Sequence, residues 1–236
     1  MKKVLISVCI PVFKTEEYLE ECLLSVSNQI NLDKKSIEVI IVNDGSFFKT
    51  KNGLTCKKII KNFKKATKFS VIYKEHSKNL GLVEARRTAI EEANGKYIFI
   101  LDSDDKIKQD CLCVLLEKAE KNNADIVHAG SEIYNNCIEN ENQKEREEKI
   151  YKHINNIYNG TLLDSQILES YLVKGTHMGF LWGKLIKTEI YKKAFSKIPF
   201  TFCVMAEDAV QYLYISFFSK KYIGLPDFKP YIYTIS

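Results

Sequence analysis

An uninterrupted apolar run at residues 97–101 leads directly into three aspartates, Asp102, Asp104 and Asp105. Because no polar residue alternates with the apolar ones, the run predicts a strand buried on both faces of a parallel sheet. A charged group is costly to bury, so the aspartates must emerge at the carboxyl end of that strand, which is the edge where open α/β sheets bind ligands. Two aspartates one residue apart can supply oxygen ligands to Mg²⁺ or Mn²⁺. The alternative is an acidic turn that caps the following helix.

Strand and helix patterns alternate along the first 130 residues. Apolar runs that predict strands occur at residues 4–12, 37–42, 69–73, 97–101 and 124–129. Between them, apolar residues at helical spacing predict a helix capped by Thr15 and further helices at residues 57–63, 82–93 and 109–122. Strands that alternate with helices indicate βαβ units, so we predict an α/β fold with a mostly parallel sheet flanked by helices.

The second half of the chain predicts a smaller region of the same domain. Residues 135–149 are rich in Glu, Asn, Gln and Lys without periodicity, which predicts a flexible surface loop. Helices are predicted at residues 164–173 and 187–195, and another begins at Glu207 and Asp208. The final apolar segment, residues 230–236, predicts a strand. No polar tail follows it.

Composition and charge exclude several classes of protein. A hydrophobic fraction of 45% and a charged fraction of 28% are ordinary for a soluble globular protein. The net charge of +5 is too small to indicate a nucleic-acid partner, and no apolar run reaches the ~20 residues of a membrane helix. Seven scattered cysteines without zinc-binding spacing predict reduced thiols in a cytoplasmic protein. The first strand is not followed by G-x-G-x-x-G, which disfavours a dinucleotide-binding dehydrogenase or methyltransferase.

Taken in order, several short motifs resemble those of the family 2 glycosyltransferases, which are inverting enzymes with the GT-A fold. The motifs are Pro11-Val-Phe-Lys14 through Gln29, Asp44-Gly-Ser46, Asn79-Leu-Gly81 through Ala85-Arg86, Asp102-Ser-Asp104-Asp105, Trp182-Gly-Lys184 and Glu207-Asp208. Each is weak alone, but the combination is specific and extends over nearly the whole chain. On this resemblance, residues 1–130 form the nucleotide-sugar-binding half of one GT-A domain, and residues 131–236 form the acceptor and catalytic-base half. Members of the family commonly continue past a segment like residues 230–236, so the resemblance also implies a longer natural chain, with a membrane-associating tail as one form of the extension.

Two positions depart from the family pattern. Lys14 stands where the family usually has Asn, and Arg87 follows Arg86 where Asn is common. Both departures leave the implied fold and reaction intact, but they could alter the preference for nucleotide or sugar.

The resemblance implies a nucleotide pocket at the strand ends. Its implied members are Pro11, Val12, Phe13, Glu16, Asp44, Arg86, Asp102 and Ser103. Asp44 would accept a hydrogen bond from a uracil N–H, and the alternative is an Asp-Gly turn residue. The Arg86 guanidinium would reach the base or the diphosphate, and the alternative is an exposed helix cation.

The resemblance also implies a metal ion and a catalytic base. Asp104 would bind Mn²⁺ or Mg²⁺ directly with help from Asp102, so that the leaving diphosphate is stabilised; Asp105 would support the site from behind or cap the next helix. Asp208 would take the proton of the acceptor hydroxyl, with Glu207 as the fallback. The alternative is that both acids only stabilise a helix amino terminus, an effect of about 0.3–1 kcal/mol.

Two further residues are weaker predictions for the acceptor side. Trp182, flanked by glycines, could stack on the acceptor sugar, although a tryptophan is more often part of the core. His177 could approach the diphosphate or be an ordinary loop histidine.

The implied activity is transfer of a hexosyl or N-acetylhexosaminyl group from a nucleoside-diphosphate sugar, above all a UDP-sugar, to a hydroxyl of a glycan or glycolipid. By analogy with the family, the product would be a bacterial surface glycan such as lipooligosaccharide or capsule, made at the cytoplasmic face of the inner membrane. Two alternatives stay open. A sugar-1-phosphate nucleotidyltransferase would have a glycine-rich basic loop where this chain has Lys14-Thr-Glu-Glu, and the other alternative is a non-catalytic nucleotide-sugar binder.

Overall fold

The structure of the protein, a computed structural model, describes residues 3–67, 69–135, 141–203 and 205–235. The strands in this part of the chain are β1 (Ile6–Val12), β2 (Ile37–Asn43), β3 (Ser70–Glu75), β4 (Tyr97–Ile100), β5 (Lys106–Ile107), β6 (Ile126–Ala129), β7 (Ser131–Asn135), β8 (Gly160–Leu163), β9 (Lys184–Lys187), β10 (Lys221–Leu225) and β11 (Tyr231–Ile235). The helices are α1 (Glu16–Ser27), α2 (Cys56–Thr67), α3 (Leu82–Glu92), α4 (Cys111–Asn122), α5 (Glu141–Ile154), α6 (Ser165–Leu172), α7 (Thr188–Phe195) and α8 (Glu207–Phe218).

Eight strands form one central sheet in the order β3-β2-β1-β4-β9-β6-β10-β8. The first four are parallel, whereas β9 runs antiparallel between β4 and β6. The strands β1, β2 and β4 are buried along their full lengths, which is why their sequences are almost continuously apolar. The predicted α/β fold is therefore confirmed, and the two predicted halves of the chain contribute strands to the same sheet.

Helices cover both faces of this sheet. Apolar side chains of α1, α2 and α4 pack on one face, and those of α3, α7 and α8 pack on the other. In α1 the buried positions Leu19, Leu23 and Val26 recur at helical spacing, as the sequence pattern predicts. This layered packing leaves the carboxyl ends of β1, β2 and β4 free to carry polar residues.

A small second sheet, in the order β5-β11-β7, lies beside the aspartate turn. The Tyr231 hydroxyl donates a hydrogen bond to Asp105 Oδ2 at 2.6 Å, and the Thr234 amide donates to Asp105 Oδ1 at 2.7 Å. Burial raises the pKa of Asp105 to about 8, and Asp102 adds to the rise. Rather than capping a helix, the Asp105 carboxylate holds β11 against the turn that carries Asp102 and Asp104.

The prediction of a flexible loop at residues 135–149 is wrong for residues 141–149, which lie in helix α5; residues 136–140 fall outside the described part of the chain. Glutamate and lysine favour helix, and they form i,i+4 pairs such as Lys149 Nζ to Glu145 Oε1 at 2.7 Å. The apolar contacts that hold the helix come from Ile150 and Ile154. These two residues follow the predicted loop, so its composition gave no sign of packing.

The six cysteines in the described residues are free thiols, and Cys137 lies outside these residues. No helix in the described part of the chain combines the length and the hydrophobicity that a bilayer crossing requires.

Candidate active site

A cleft of about 330 Å³ opens at the carboxyl ends of β1, β2 and β4, a size within the range of small-molecule sites. Its lining includes seven of the residues predicted from the sequence: Pro11, Val12, Phe13, Asp44, Asp102, Ser103 and Asp104. The ends of β2 and β4, which lie on opposite sides of β1 in the sheet, therefore contribute residues to one cleft, as expected from the strand order. Four lining residues were not predicted as site residues: Thr15, Asn79, Leu82 and Ala85. Three of these belong to the Asn79–Arg86 motif, in which the sequence analysis assigned a site role only to Arg86.

The loop that follows β1 forms one wall of the cleft. Phe13 is partly exposed there, and Lys14 has a φ of 60°, a left-handed backbone that Asn adopts more readily than Lys. The Lys14 amide donates a hydrogen bond to Ser46 Oγ at 3.1 Å, which ties this loop to the end of β2. The left-handed backbone at Lys14 is thus held by a bond to the end of β2.

Asp44 is almost fully buried and holds the loop that precedes α3. Its Oδ1 is bonded to His76 Nδ1 at 2.7 Å and accepts from the Leu80 amide at 2.9 Å, while Oδ2 accepts from the Gly81 amide at 2.9 Å. A carboxylate has about four acceptor positions, so one stays open on Oδ2 for a further donor. The next residue must be glycine, since a Cβ on Gly45 would lie 2.3 Å from the backbone of this same loop.

Asp102 and Asp104 form the acidic end of the cleft. Desolvation raises the pKa of Asp102 to about 6, with Arg86 opposing the shift and Asp208 and Asp104 adding to it. Burial also raises the pKa of Asp104. The turn between them is fixed by a 2.6 Å hydrogen bond between Ser103 Oγ and Thr15 Oγ1. Thr15 therefore does not cap α1 with its side chain, contrary to prediction.

Arg86 joins the acidic end of the cleft to α8. Its guanidinium is 1% exposed, bonds Asp208 Oδ1 through Nη1, and lies 3.5 Å from Asp102 Oδ1 through Nη2. Burial lowers its pKa, but Asp208 and Asp102 more than offset this, so the net shift is upward and the side chain stays charged. The alternative of an exposed helix cation is thus excluded for Arg86. The same contacts place the predicted base, Asp208, next to the predicted metal-binding Asp102.

Glu16, predicted to contact the nucleotide, lies elsewhere. It is 0% exposed, it does not line the cleft, and neither carboxylate oxygen has a hydrogen-bond partner among the described residues. Its neighbour Thr15 occupies the lining position instead. The acidic residues at the start of α1 predict a helix start, and α1 does begin there. Helical spacing does not show which residue near this start faces the cleft.

Neither predicted acceptor residue lines the cleft. Trp182 is buried and stacked between Phe180 and Tyr231, at centroid distances of 4.9 and 4.8 Å, which is the core position that base rates favour. His177 is buried as well, and its Nε2 is bonded to the Tyr212 hydroxyl at 2.9 Å. Both side chains contribute to packing behind the site.

The burial of His177 predicts a pH-dependent stability. Burial, assisted by Lys184, lowers the pKa of His177 to about 3. Between that value and the ordinary value of about 6.5, the unfolded chain binds a proton that the folded chain does not, so the free energy of unfolding rises with pH across this window and is lost as the pH falls. The titratable groups that face His177 from other elements are Tyr171 on α6, Lys184 on β9, Tyr212 on α8, Tyr222 on β10 and His128 on β6.

We expect His177→Asn to reduce the slope of unfolding free energy against pH by up to about 1.4 kcal/mol per pH unit between pH 4 and 6. Urea unfolding followed by the fluorescence of the single tryptophan, Trp182, measures it. His153→Asn is the matched control, because that imidazole is exposed on α5. An unchanged slope in His177→Asn would contradict the expectation.

The chain is similar to known glycosyltransferases in sequence and to a solved structure in fold. The sequence profile of the family described as "Glycosyl transferase family 2" matches residues 7–195. Glycosyltransferase GlyA of Streptococcus pneumoniae is 29% identical over 226 residues, which is 93% of this chain and 29% of that protein. The cholesterol galactosyltransferase of Borreliella burgdorferi is 30% identical over 196 residues, or 80% of this chain and 49% of that protein. The chain thus spans half or less of the length of these relatives.

Among solved structures, residues 1–349 of Staphylococcus aureus TarS in complex with UDP-GlcNAc superpose with a TM-score of 0.75. The sequence identity is 18%, and the match covers 99% of this chain and 59% of that one. A likeness at this identity concerns the fold, and it confirms the expected GT-A architecture.

Proposed function

The chain belongs to glycosyl transferase family 2, and from this premise we propose that it transfers a sugar from a nucleoside-diphosphate sugar, specifically a UDP-sugar, to a hydroxyl of a glycan or glycolipid with inversion at the anomeric carbon. The observation that carries the proposal is the contact of Arg86 with both Asp208 and Asp102. It sets a carboxylate of α8 beside the acidic end of a cleft at the strand ends. Two carboxylate functions, one for the leaving group and one for the incoming hydroxyl, are what this reaction needs.

The nucleotide fits the apolar end of the cleft. Pro11, Val12, Phe13 and Leu82 offer an apolar surface to a flat base. The open acceptor position on Asp44 Oδ2 would take the uracil N–H, while its three existing bonds keep the carboxylate fixed. The UDP-GlcNAc bound to TarS supports a UDP-sugar as the donor class.

A divalent cation, Mn²⁺ or Mg²⁺, fits the acidic end of the cleft. Desolvation raises the pKa of both Asp102 and Asp104, and Arg86 opposes the rise at Asp102. A cation beside the two carboxylates would favour their charged forms. Asp104 and Asp102 would hold it. Within the described residues no group of three or more His, Cys, Asp or Glu side chains is placed to hold a metal ion, so this ion would need further ligands from phosphate and water. When bound, the ion supplies electrostatic stabilisation to the leaving diphosphate.

Asp208 is the base in this proposal. Arg86 holds Asp208 Oδ1, which orients the carboxylate and leaves Oδ2 for the acceptor hydroxyl. The position in the first turn of α8 also favours a negative charge there. As the hydroxyl oxygen attacks the anomeric carbon, its proton passes to Asp208, and the bond to the diphosphate breaks on the opposite face of the sugar.

For the acceptor we propose only a chemical class, a hydroxyl group of a glycan or glycolipid. One relative is named for galactosyl transfer to cholesterol, which supports a hydroxyl of a lipid or glycolipid as one acceptor class. We extend the proposal to a hexosyl or N-acetylhexosaminyl group that is added to lipooligosaccharide, capsule or another surface polysaccharide. The protein would act at the periphery of the inner membrane.

A donor panel tests the function. The protein is incubated with Mn²⁺ and UDP-, GDP- and CMP-sugars, and the released products are identified. Free nucleotide with sugar transfer or sugar hydrolysis is expected, with UDP-sugars turned over fastest. Conversion of a nucleoside-diphosphate sugar and added pyrophosphate into nucleoside triphosphate and sugar 1-phosphate would instead indicate a sugar-1-phosphate nucleotidyltransferase, and binding without turnover would indicate a nucleotide-sugar binder.

A further inference from the structure

Arg86 and Arg87 are neighbours on α3 with different surroundings. The Arg86 guanidinium is buried between Asp208 and Asp102, whereas the Arg87 side chain is 19% exposed and turned toward the end of α7. Successive helical residues are about 100° apart around the helix axis, so the two groups reach different elements. The proposed transfer reaction gives a role to Arg86 and none to Arg87.

Arg87 donates hydrogen bonds to three backbone carbonyls. Its Nη1 donates to Phe195 O at 2.7 Å, and its Nη2 donates to Ile198 O at 2.9 Å and Pro199 O at 3.2 Å. These carbonyls lie at the carboxyl end of α7 and in the turn that follows. Helix-terminal carbonyls lack intrahelical partners, and a cation is favoured at that end by the helix dipole.

Glu84, one turn earlier on α3, completes the contact. It is nearly buried, and its carboxylate accepts from Arg87 Nε at 2.9 Å and from Arg87 Nη2 at 3.3 Å. A paired guanidinium and carboxylate restrict each other's orientation. Glu84 Oε1 also accepts from the Thr201 amide at 3.1 Å. The Glu84–Arg87 clamp therefore holds residues 195–201 at four backbone groups.

The clamped segment leads to the proposed base. Six residues after Thr201 the chain enters α8, whose first turn carries Asp208. Among the described residues no side chain caps this helix, and its N-cap residue Ala206 has a φ of 56°. The start of α8 thus lacks local fixation by a capping side chain. The helix α3 supplies fixation at two points, through Arg86 on Asp208 and through the clamp on the preceding segment.

We propose that Arg87, oriented by Glu84, is a positioning residue for sugar transfer: the clamp fixes residues 195–201 and thereby sets the position of Asp208 opposite the acidic end of the cleft. This proposal rests on the proposed function.

The test compares Arg87→Met, which keeps the aliphatic stem, with Arg87→Lys, which keeps a charge that can reach some of the carbonyls. Arg146→Met on the exposed surface of α5 is the matched control. We expect Arg87→Met to lower kcat by about 10- to 100-fold, because small displacements of a reacting group cost that much. The donor KM and the Kd for UDP should stay within about twofold of wild type, since the nucleotide wall is untouched. Arg87→Lys should recover part of the loss, and Arg146→Met should match wild type.

Hydrogen exchange without substrate supplies a second readout. Peptides that cover residues 199–206 should exchange faster in Arg87→Met than in wild type, while peptides from β1 and β4 should not change. Glu84→Gln tests the same clamp in a milder form, because an amide oxygen can still accept from Thr201. Exchange in residues 199–206 equal to wild type would overturn the clamp, as would a loss of kcat matched by an equal loss of UDP affinity. If the wild-type protein turned over no donor, the proposed function would be wrong instead. The hydrogen-exchange result would then still show whether the clamp exists.

Discussion

Replacement of Asp208 by Asn is expected to lower sugar transfer by about 10²- to 10⁴-fold, the usual contribution of a general base. The substitution keeps the shape of the side chain and an oxygen that can accept from Arg86, so the link to Asp102 persists. What it removes is the ability to take the acceptor proton. The measurement is kcat for transfer from the best UDP-sugar of the donor panel, together with the Kd for UDP, which should change by no more than about twofold.

Glu207→Gln is the matched control for this variant. It changes the adjacent acid in the same turn of α8, and the Arg86 guanidinium bonds Asp208 rather than Glu207. We expect transfer by Glu207→Gln to stay much closer to wild type. If Glu207→Gln were inactive and Asp208→Asn were active, the base would be Glu207 and the assignment to Asp208 would be wrong.

Replacement of Asp104 by Asn is expected to lower transfer by about 10²- to 10³-fold, the scale on which loss of a group that stabilises a leaving anion is felt. Asp104 lines the acidic end of the cleft, and Asn removes the charge that would hold Mn²⁺ or Mg²⁺. Wild-type activity should fall to a similar level in EDTA and return when Mn²⁺ is added. The variant should gain little from Mn²⁺ at concentrations that saturate the wild type.

The control for the metal experiment is Asp227→Asn, which removes a carboxylate from an exposed turn away from the cleft. It should respond to EDTA and Mn²⁺ as the wild type does. Full activity of Asp104→Asn, or wild-type turnover that EDTA leaves unchanged, would contradict the proposed metal site.

Strands that are apolar throughout, and the polar residues at their ends, were accessible from the sequence, whereas strands of mixed polarity were not. The strands β1, β2 and β4 are buried on both faces, so their hydrophobic runs specify them without reference to the rest of the fold. The strands β8 and β9 have four residues each, and each mixes polar with apolar side chains. Their sequences carry no periodic signal, and their place in the sheet is decided by the neighbours they pair with.

The site divides in a similar way. The strand-end residues Asp44, Asp102 and Asp104 could be assigned to one cleft, because parallel strands end at the same edge. The pairing of Arg86 with Asp208 could not, since it joins residues 122 positions apart through the packing of two helices. The burial of the Glu16 side chain also depends on tertiary packing, and the amphipathic pattern of α1 did not predict it.

The late position of β9 in the chain has a consequence for biosynthesis. During translation, β3, β2, β1 and β4 can assemble as soon as they leave the ribosome. In the part of the chain that the structure describes, β6 pairs only with β9 and β10, and both are made later. Until residues 184–187 emerge, the nascent chain has an unpaired edge on β4 and an unpaired β6. Unpaired strand edges promote aggregation with other incompletely folded chains. A polypeptide stopped at residue 130 would therefore be an interrupted sheet, and it would not be a self-sufficient donor-binding module.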